Sequence, residues 1–184
     1  MNMRSALPAV LVLATALFFA SSVQAADLTF FVGGAKPGSI NYRDVKASLD
    51  SSPMYGFRIG TNFVRFFGME HTLAFSSDYL FPHSVAEIKS AKGFVYSSNM
   101  IFNIPIGKLV PYVTAGAGLL HQYGDNDMPV GTKFAFNYGG GVKRPRLIGP
   151  LGVRFDLRGY RAGVISNKLN ILEISGGILL SIGK

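Results

Sequence analysis

Ten residues, GVRFDLRGYR from Gly152 to Arg161, alternate almost without error. Val153, Phe155 and Leu157 take every second position, and Arg154, Asp156 and Arg158 fill the gaps. Successive side chains of a strand point to opposite sides of the backbone, so one face of this segment is bulky and apolar while the other carries two guanidiniums around a carboxylate. Two different environments must flank it. In a soluble sheet these are core and water; in a membrane barrel they are lipid and lumen.

The pattern recurs in about eight segments of roughly ten residues. They run over 28–35, 54–66, 69–81, 93–104, 109–121, 133–143, the opening stretch, and 171–182. The second sets Tyr55, Phe57 and Ile59 against Gly56, Arg58 and Gly60. The third sets His71, Leu73 and Phe75 against Glu70, Thr72, Ala74, Ser76 and Asp78, and the eighth sets Leu172, Ile174 and Ile178 against Glu173, Ser175 and Gly177. A water-facing sheet surface favours long Lys and Glu, but here the non-apolar face is mostly Gly, Ala, Ser, Thr and Asn. Small residues signal crowding, and an eight-stranded barrel is barely wide enough inside for its side chains. On the apolar face Tyr and Phe fall near segment ends and aliphatics near the middle, as aromatic girdles at two membrane interfaces require. The pattern therefore predicts an all-β protein: a closed antiparallel up-and-down transmembrane β-barrel of eight strands, with the charges of GVRFDLRGYR pointing inward.

Composition agrees. Charged residues make up 15% of the chain, against about 25% in an ordinary soluble domain. There is no cysteine, so disulfides, thiolate metal sites and thiol nucleophiles are out. One positive charge, Arg4, precedes an apolar run from Ala6 to Ala20 and the small-residue site Val23-Gln24-Ala25, the grammar of a secretory signal peptide. Residues 1–25 are read as that signal and 26–184 as the barrel domain. No second run is long enough for a spanning helix. Removing Arg4 with the signal leaves 17 of the 18 basic residues against 10 acidic ones, a net charge of +7. No Lys/Arg run forms a nucleic-acid footprint, so the excess points to anionic headgroups or lipopolysaccharide phosphates.

Connections alternate in length: 36–53, Phe67-Gly68, 82–92, Pro105 to Lys108, 122–132, 144–150 and 162–170. Short periplasmic turns and longer outside loops characterise outer-membrane barrels, and both termini then lie in the periplasm. The signal peptide, PYVTAGAG (111–118), FAFNYGGGVK (134–143) and the GVRFDLRGY that follows resemble the small outer-membrane β-barrel family that includes OmpX, OmpW and the transmembrane domain of OmpA. The resemblance spans the mature chain and implies an eight-stranded barrel in the bacterial outer membrane. One departure is the ending Ile182-Gly183-Lys184, where such proteins usually close on an aromatic residue.

Several motifs invite a chemical reading. GGAKPGS (33–39) lacks the Gly-Lys-Ser/Thr of a phosphate loop, and GAGLL (116–120) lies inside a strand with no helix after it. His83, Ser84 and His121 lie near outer strand ends; a Ser84 nucleophile would need an orienting third group, and the histidines with Asp125 and Asp127 are too loosely spaced for a metal site. The expected function is structural or surface-interacting, not enzymatic and without a cofactor. Its alternatives are a narrow channel or carrier for small hydrophobic molecules, and a lipid A-modifying enzyme. Expected partners are outer-membrane lipids and lipopolysaccharide, plus the outer-membrane assembly machinery during insertion, with a monomeric chain and no nucleic acid. A turn at Phe67-Gly68 sets Arg58 opposite Ser76 or Asp78, and the 162–170 loop brings Arg158 near Glu173. Buried charges persist only when paired, so Arg58, Asp78, Arg154, Asp156, Arg158 and Glu173 are expected to form a luminal network that plugs the barrel. Phe155→Arg, on the lipid face, should be costly and Gly152→Ser, on the luminal face, mild.

Overall fold

The computed structural model describes residues 25–38, 40–42, 45–47, 51–76, 91–124, 132–163 and 169–183. Residues 1–24, most of the expected signal peptide, lie outside that set. Among the described residues there are ten strands: β1 (Ala25–Pro37), β2 (Ile40–Tyr42), β3 (Val45–Ala47), β4 (Ser52–Asn62), β5 (Phe67–Ser76), β6 (Ala91–Asn103), β7 (Val110–Gly124), β8 (Thr132–Ile148), β9 (Leu151–Ala162) and β10 (Leu169–Ile182). Eight of them close a barrel in the order β1-β10-β9-β8-β7-β6-β5-β4, with β4 pairing back onto β1. Every pairing is antiparallel. Closure leaves no edge, so lipid meets no unpaired backbone N–H or C=O. No described helix is long and apolar enough to cross a membrane; the strands do so.

Period two sets the faces. Along β9, Gly152, Arg154, Asp156, Arg158, Tyr160 and Ala162 are buried, whereas Leu151, Val153, Phe155 and Leu157 are exposed. The exposed side carries two aromatic clusters. Tyr55, Phe75 and Phe94 run across β4, β5 and β6 near the long-loop end, with ring centroids 6.4 and 5.3 Å apart. Phe66, Phe67 and Phe102 gather at the short-turn end, at 6.4 and 5.0 Å. Between them the outward residues include Met100, Leu157 and Ile174, so the apolar band is flanked by rings at both boundaries.

The lumen is layered. Toward the long loops it is filled by Phe31, Met54, Val95, Leu120 and Ile171 with small alanines between them; the middle is charged. Glycines on the inner face make room for neighbouring backbone. A Cβ at Gly118 would lie 2.7 Å from the Cα of Ser97, so GAGLL is strand packing.

Three boundaries differ from the sequence reading. The 36–53 connection contains the small β2-β3 hairpin. The first short turn is not Phe67-Gly68: Asn62 pairs with Gly68, so the turn is Phe63 to Phe66, closed by the Phe63 N–H on the Phe67 carbonyl at 3.0 Å. Its residues are apolar because they stand at the membrane boundary, and so they imitate strand. Lastly, 144–150 is mostly strand. β8 continues to Ile148 through an irregularity between Arg144 and Ile148, and the turn is only Gly149-Pro150, with Gly149 at φ 61°. Pro145 cannot donate to the ladder, which is why pairing breaks there without ending the strand.

Candidate functional site: a charged network across the lumen

Each charged group reaches the lumen by strand parity alone. Arg58 comes from β4, Glu70 from β5, Arg154, Asp156 and Arg158 from β9, and Glu173 from β10. All six are buried. In the eight-strand ring β5 and β9 stand diametrically opposite, so bonds between them cross the full bore.

Asp156 is the hub. Its carboxylate accepts from Arg58 Nη1 at 3.1 Å, from Arg154 Nε and Nη2 at 2.9 and 3.0 Å, and from Arg158 Nη2 and Nε at 2.9 and 3.2 Å. The Tyr112 hydroxyl also donates to it, and itself accepts from Arg154 Nε at 3.0 Å. Glu70 bridges from the far wall: it accepts from Arg158 Nη2 at 2.5 Å and from Arg154 Nη1. Glu173 accepts from Arg58 Nη2, from Tyr160 at 2.6 Å and from Ser175 at 2.6 Å. The Arg58 guanidinium lies over the Phe31 ring at 3.7 Å, joining the charged layer to the apolar one.

The charges balance: three guanidiniums face three carboxylates. Burying an ion is expensive unless its partners and hydrogen bonds replace water, and here every charged group has two or more. Five of the expected residues, Arg58, Arg154, Asp156, Arg158 and Glu173, are brought together. Arg158 pairs in register with Glu173 as expected. Arg58 does not face Ser76 or Asp78; it pairs with Thr72. Asp78 lies outside the described residues. Glu70 supplies the carboxylate on β5, and sequence reasoning missed it because the misplaced turn set the strand's register too far along. Its inward parity was visible.

Neighbouring layers are polar but uncharged, or singly paired. Asn99 and Asn137 exchange hydrogen bonds at 2.5 and 3.1 Å. Lys143 meets Asp27 at 3.3 Å near the short-turn end. Of the other residues considered, His83, Ser84, Asp125 and Asp127 lie outside the described residues, and His121 is exposed with Nδ1 2.6 Å from the Thr132 hydroxyl.

The model of the outer membrane protein beta-barrel domain matches residues 10–146. The chain belongs to this outer-membrane β-barrel family. As a family member it is an integral protein of the outer membrane, with its apolar band in lipid. No curated protein sequence matches it. Among solved structures it is similar to Neisserial surface protein A, at 14% identity and a TM-score of 0.63 over 85% of this chain and 97% of that one. It is similar to the N-terminal β-barrel domain of Pseudomonas aeruginosa OprF at 18% identity and 0.56, over 87% and 98%. It is also similar to the outer membrane enzyme PagL at 13% identity and 0.51, over 85% and 99%. A fold shared by an enzyme and by a surface protein does not itself assign an activity. The lumen and surface of this outer-membrane barrel must be argued from its own residues.

Proposed function

We propose that the chain is a structural or surface-interacting outer-membrane barrel whose lumen is closed, rather than a channel, a carrier or a catalyst. The reading rests on the network in which Glu70 on one wall accepts directly from Arg154 and Arg158 on the opposite wall, with Asp156 holding those two arginines together. An ion passing this layer must displace buried, mutually paired charges. A hydrophobic solute meets the same charged layer. Export across the inner membrane through the signal at 1–25, insertion by the outer-membrane assembly machinery as a monomer, and contact of basic outer loops with lipopolysaccharide complete the proposal.

Planar-bilayer recording tests it. Purified wild-type protein should show no large steady current, and Arg158→Ala, which removes the crossing bonds to Glu70 and Thr72, should leak measurably. Large steady currents through the wild type would remove the plug and favour the channel. Lipid A profiles of cells with and without the protein should be identical; a changed acyl pattern would establish the catalytic reading.

A further inference from the structure

The short-turn end of the barrel has a composition that water does not select. Its three turn regions are Phe63 to Phe66, Ile104 to Leu109, and the run from Arg144 in the irregular end of β8 to Pro150. Turns that project into water draw on Ser, Asn and Asp, yet these three contain none of them, nor any Thr, Gln or Glu. Each instead sets exposed cations beside exposed apolar side chains. Val64 and Phe66 flank Arg65, Ile106 and Leu109 bracket Lys108, and Leu147 and Ile148 follow Arg144 and Arg146. These six apolar residues are between 42% and 76% exposed.

Charge is segregated as well. Four acids fall among the described residues: Glu70, Asp156 and Glu173 belong to the luminal network, and Asp27 is held by Lys143 at 3.3 Å. The other six, Asp44, Asp50, Asp78, Glu87, Asp125 and Asp127, fall in the long connections. No described acid remains for Arg65, Lys108, Arg144 or Arg146. Arg146 donates to the Gly183 carbonyl, which uses one of five guanidinium donors.

The turns are not gathered on one side. They join β4 to β5, β6 to β7 and β8 to β9, every second junction of the eight-strand ring, so cations beside apolar groups recur at quarter-turn intervals around the rim. A folded partner would touch one patch, whereas a surrounding leaflet touches the whole rim. The aromatic cluster leads into it: Phe66 and Phe67 pack on Phe102, and the Arg65 guanidinium carbon is 5.6 Å from the Phe66 ring centroid.

We propose that the short turns lie within the headgroup layer of the periplasmic leaflet and bind anionic phospholipids. Their apolar side chains enter hydrocarbon while Arg65, Lys108, Arg144 and Arg146 extend to the lipid phosphates. The proposal rests on insertion of the barrel in the membrane and is independent of whether the lumen conducts.

Two measurements on the full barrel refolded in phosphatidylcholine vesicles containing phosphatidylglycerol test it. The chain has no cysteine, so Ile106→Cys accepts a single spin label, which should collide more often with oxygen than with a water-soluble nickel chelate. Phe155→Cys, on the mid-strand outer face, reports insertion itself. A label at 106 in water beside one at 155 in hydrocarbon would overturn the proposal alone; both labels in water would overturn insertion with it. Spin-labelled phosphatidylglycerol should be enriched over spin-labelled phosphatidylcholine at the protein boundary by about fivefold, the effect of one cation near an anionic surface, and high salt should reduce the preference. Arg65→Gln, Lys108→Gln, Arg144→Gln and Arg146→Gln together should abolish it. The matched set at the long-loop end, Lys36→Gln, Lys92→Gln, Lys133→Gln and Arg161→Gln, should leave it in place. Heat-dependent mobility on a detergent gel first shows each variant to be folded, and the selectivity of the wild type stands without them. No enrichment in the wild type, equal loss in both fourfold variants, or loss in the long-loop set alone would each overturn the proposal.

Discussion

At the scale of single residues, Asp156 and Gly152 carry the sharpest consequences. Asp156 is the only carboxylate in the described network that accepts from all three guanidiniums. Replacing it by Ala leaves three buried cations against two anions, so Asp156→Ala should cost about 3–5 kcal/mol, the range for breaking a buried pair. Glu173→Ala should cost less, because only Arg58 among the guanidiniums donates to it. Urea unfolding in lipid vesicles ranks the two; a smaller loss for Asp156→Ala would mean that water rather than Asp156 solvates the arginines. Gly152 overturns a sequence expectation. It does face the lumen, yet a Cβ there would sit 2.8 Å from the Cα of Pro145 and against the Arg144 carbonyl, the same close approach of a neighbouring strand's backbone as at Gly118 and Gly139. Gly152→Ser should therefore be damaging, whereas at Gly176 the nearest atom to an added Cβ is 3.9 Å away and Gly176→Ser should be mild. The same unfolding titration checks the order. Parity alone gave Gly152 its side of the sheet; its crowding depends on how closely the backbone of the neighbouring strand approaches, which no pattern within β9 reveals.

At the scale of elements, the strands were legible because lipid and lumen impose opposite demands on alternate residues. Phe155 shows how far that carries. It lies mid-strand between Val142 and Gly176 and is 58% exposed, so in the membrane it faces hydrocarbon. Phe155→Arg should destabilise the barrel by about 2–4 kcal/mol, as for arginine at a bilayer midplane, while Arg161→Ala, an exposed position at the long-loop end of the same strand, should change stability by less than about 0.5 kcal/mol. Equal losses would mean that Phe155 lies outside the hydrocarbon. Strand ends were less legible. The alternation signal says that a residue is in a strand but not where pairing stops, and Phe63 to Phe66 stay apolar through a turn because the membrane boundary, not the sheet, selects them. That shift set Arg58 against Ser76 or Asp78 where the ladder pairs it with Thr72. The expected and observed partners share the inward face, since parity survives any even displacement.

At the scale of the whole molecule, the network makes the barrel one thermodynamic unit. β5 and β9 share no backbone ladder, so any energetic coupling between their inward residues must run through the lumen. Glu70 Oε1 accepts from Arg158 Nη2 at 2.5 Å, which predicts such coupling directly. In a double-mutant cycle, Glu70→Gln and Arg158→Met should each be destabilising and together cost less than their sum, with an interaction of about 1–3 kcal/mol, the upper part of the range for residues in one network. Pairing Glu70→Gln with Phe155→Ala supplies the control. Phe155 is on β9 as well but on its outer face, so these two losses should add to within about 0.5 kcal/mol. Measured by reversible unfolding in vesicles, a coupled first cycle beside an additive second would locate the link in the lumen rather than in the strand. Additivity in both cycles would show that the opposite walls are stabilised separately, each by its own hairpins, and that the charges merely fill the bore.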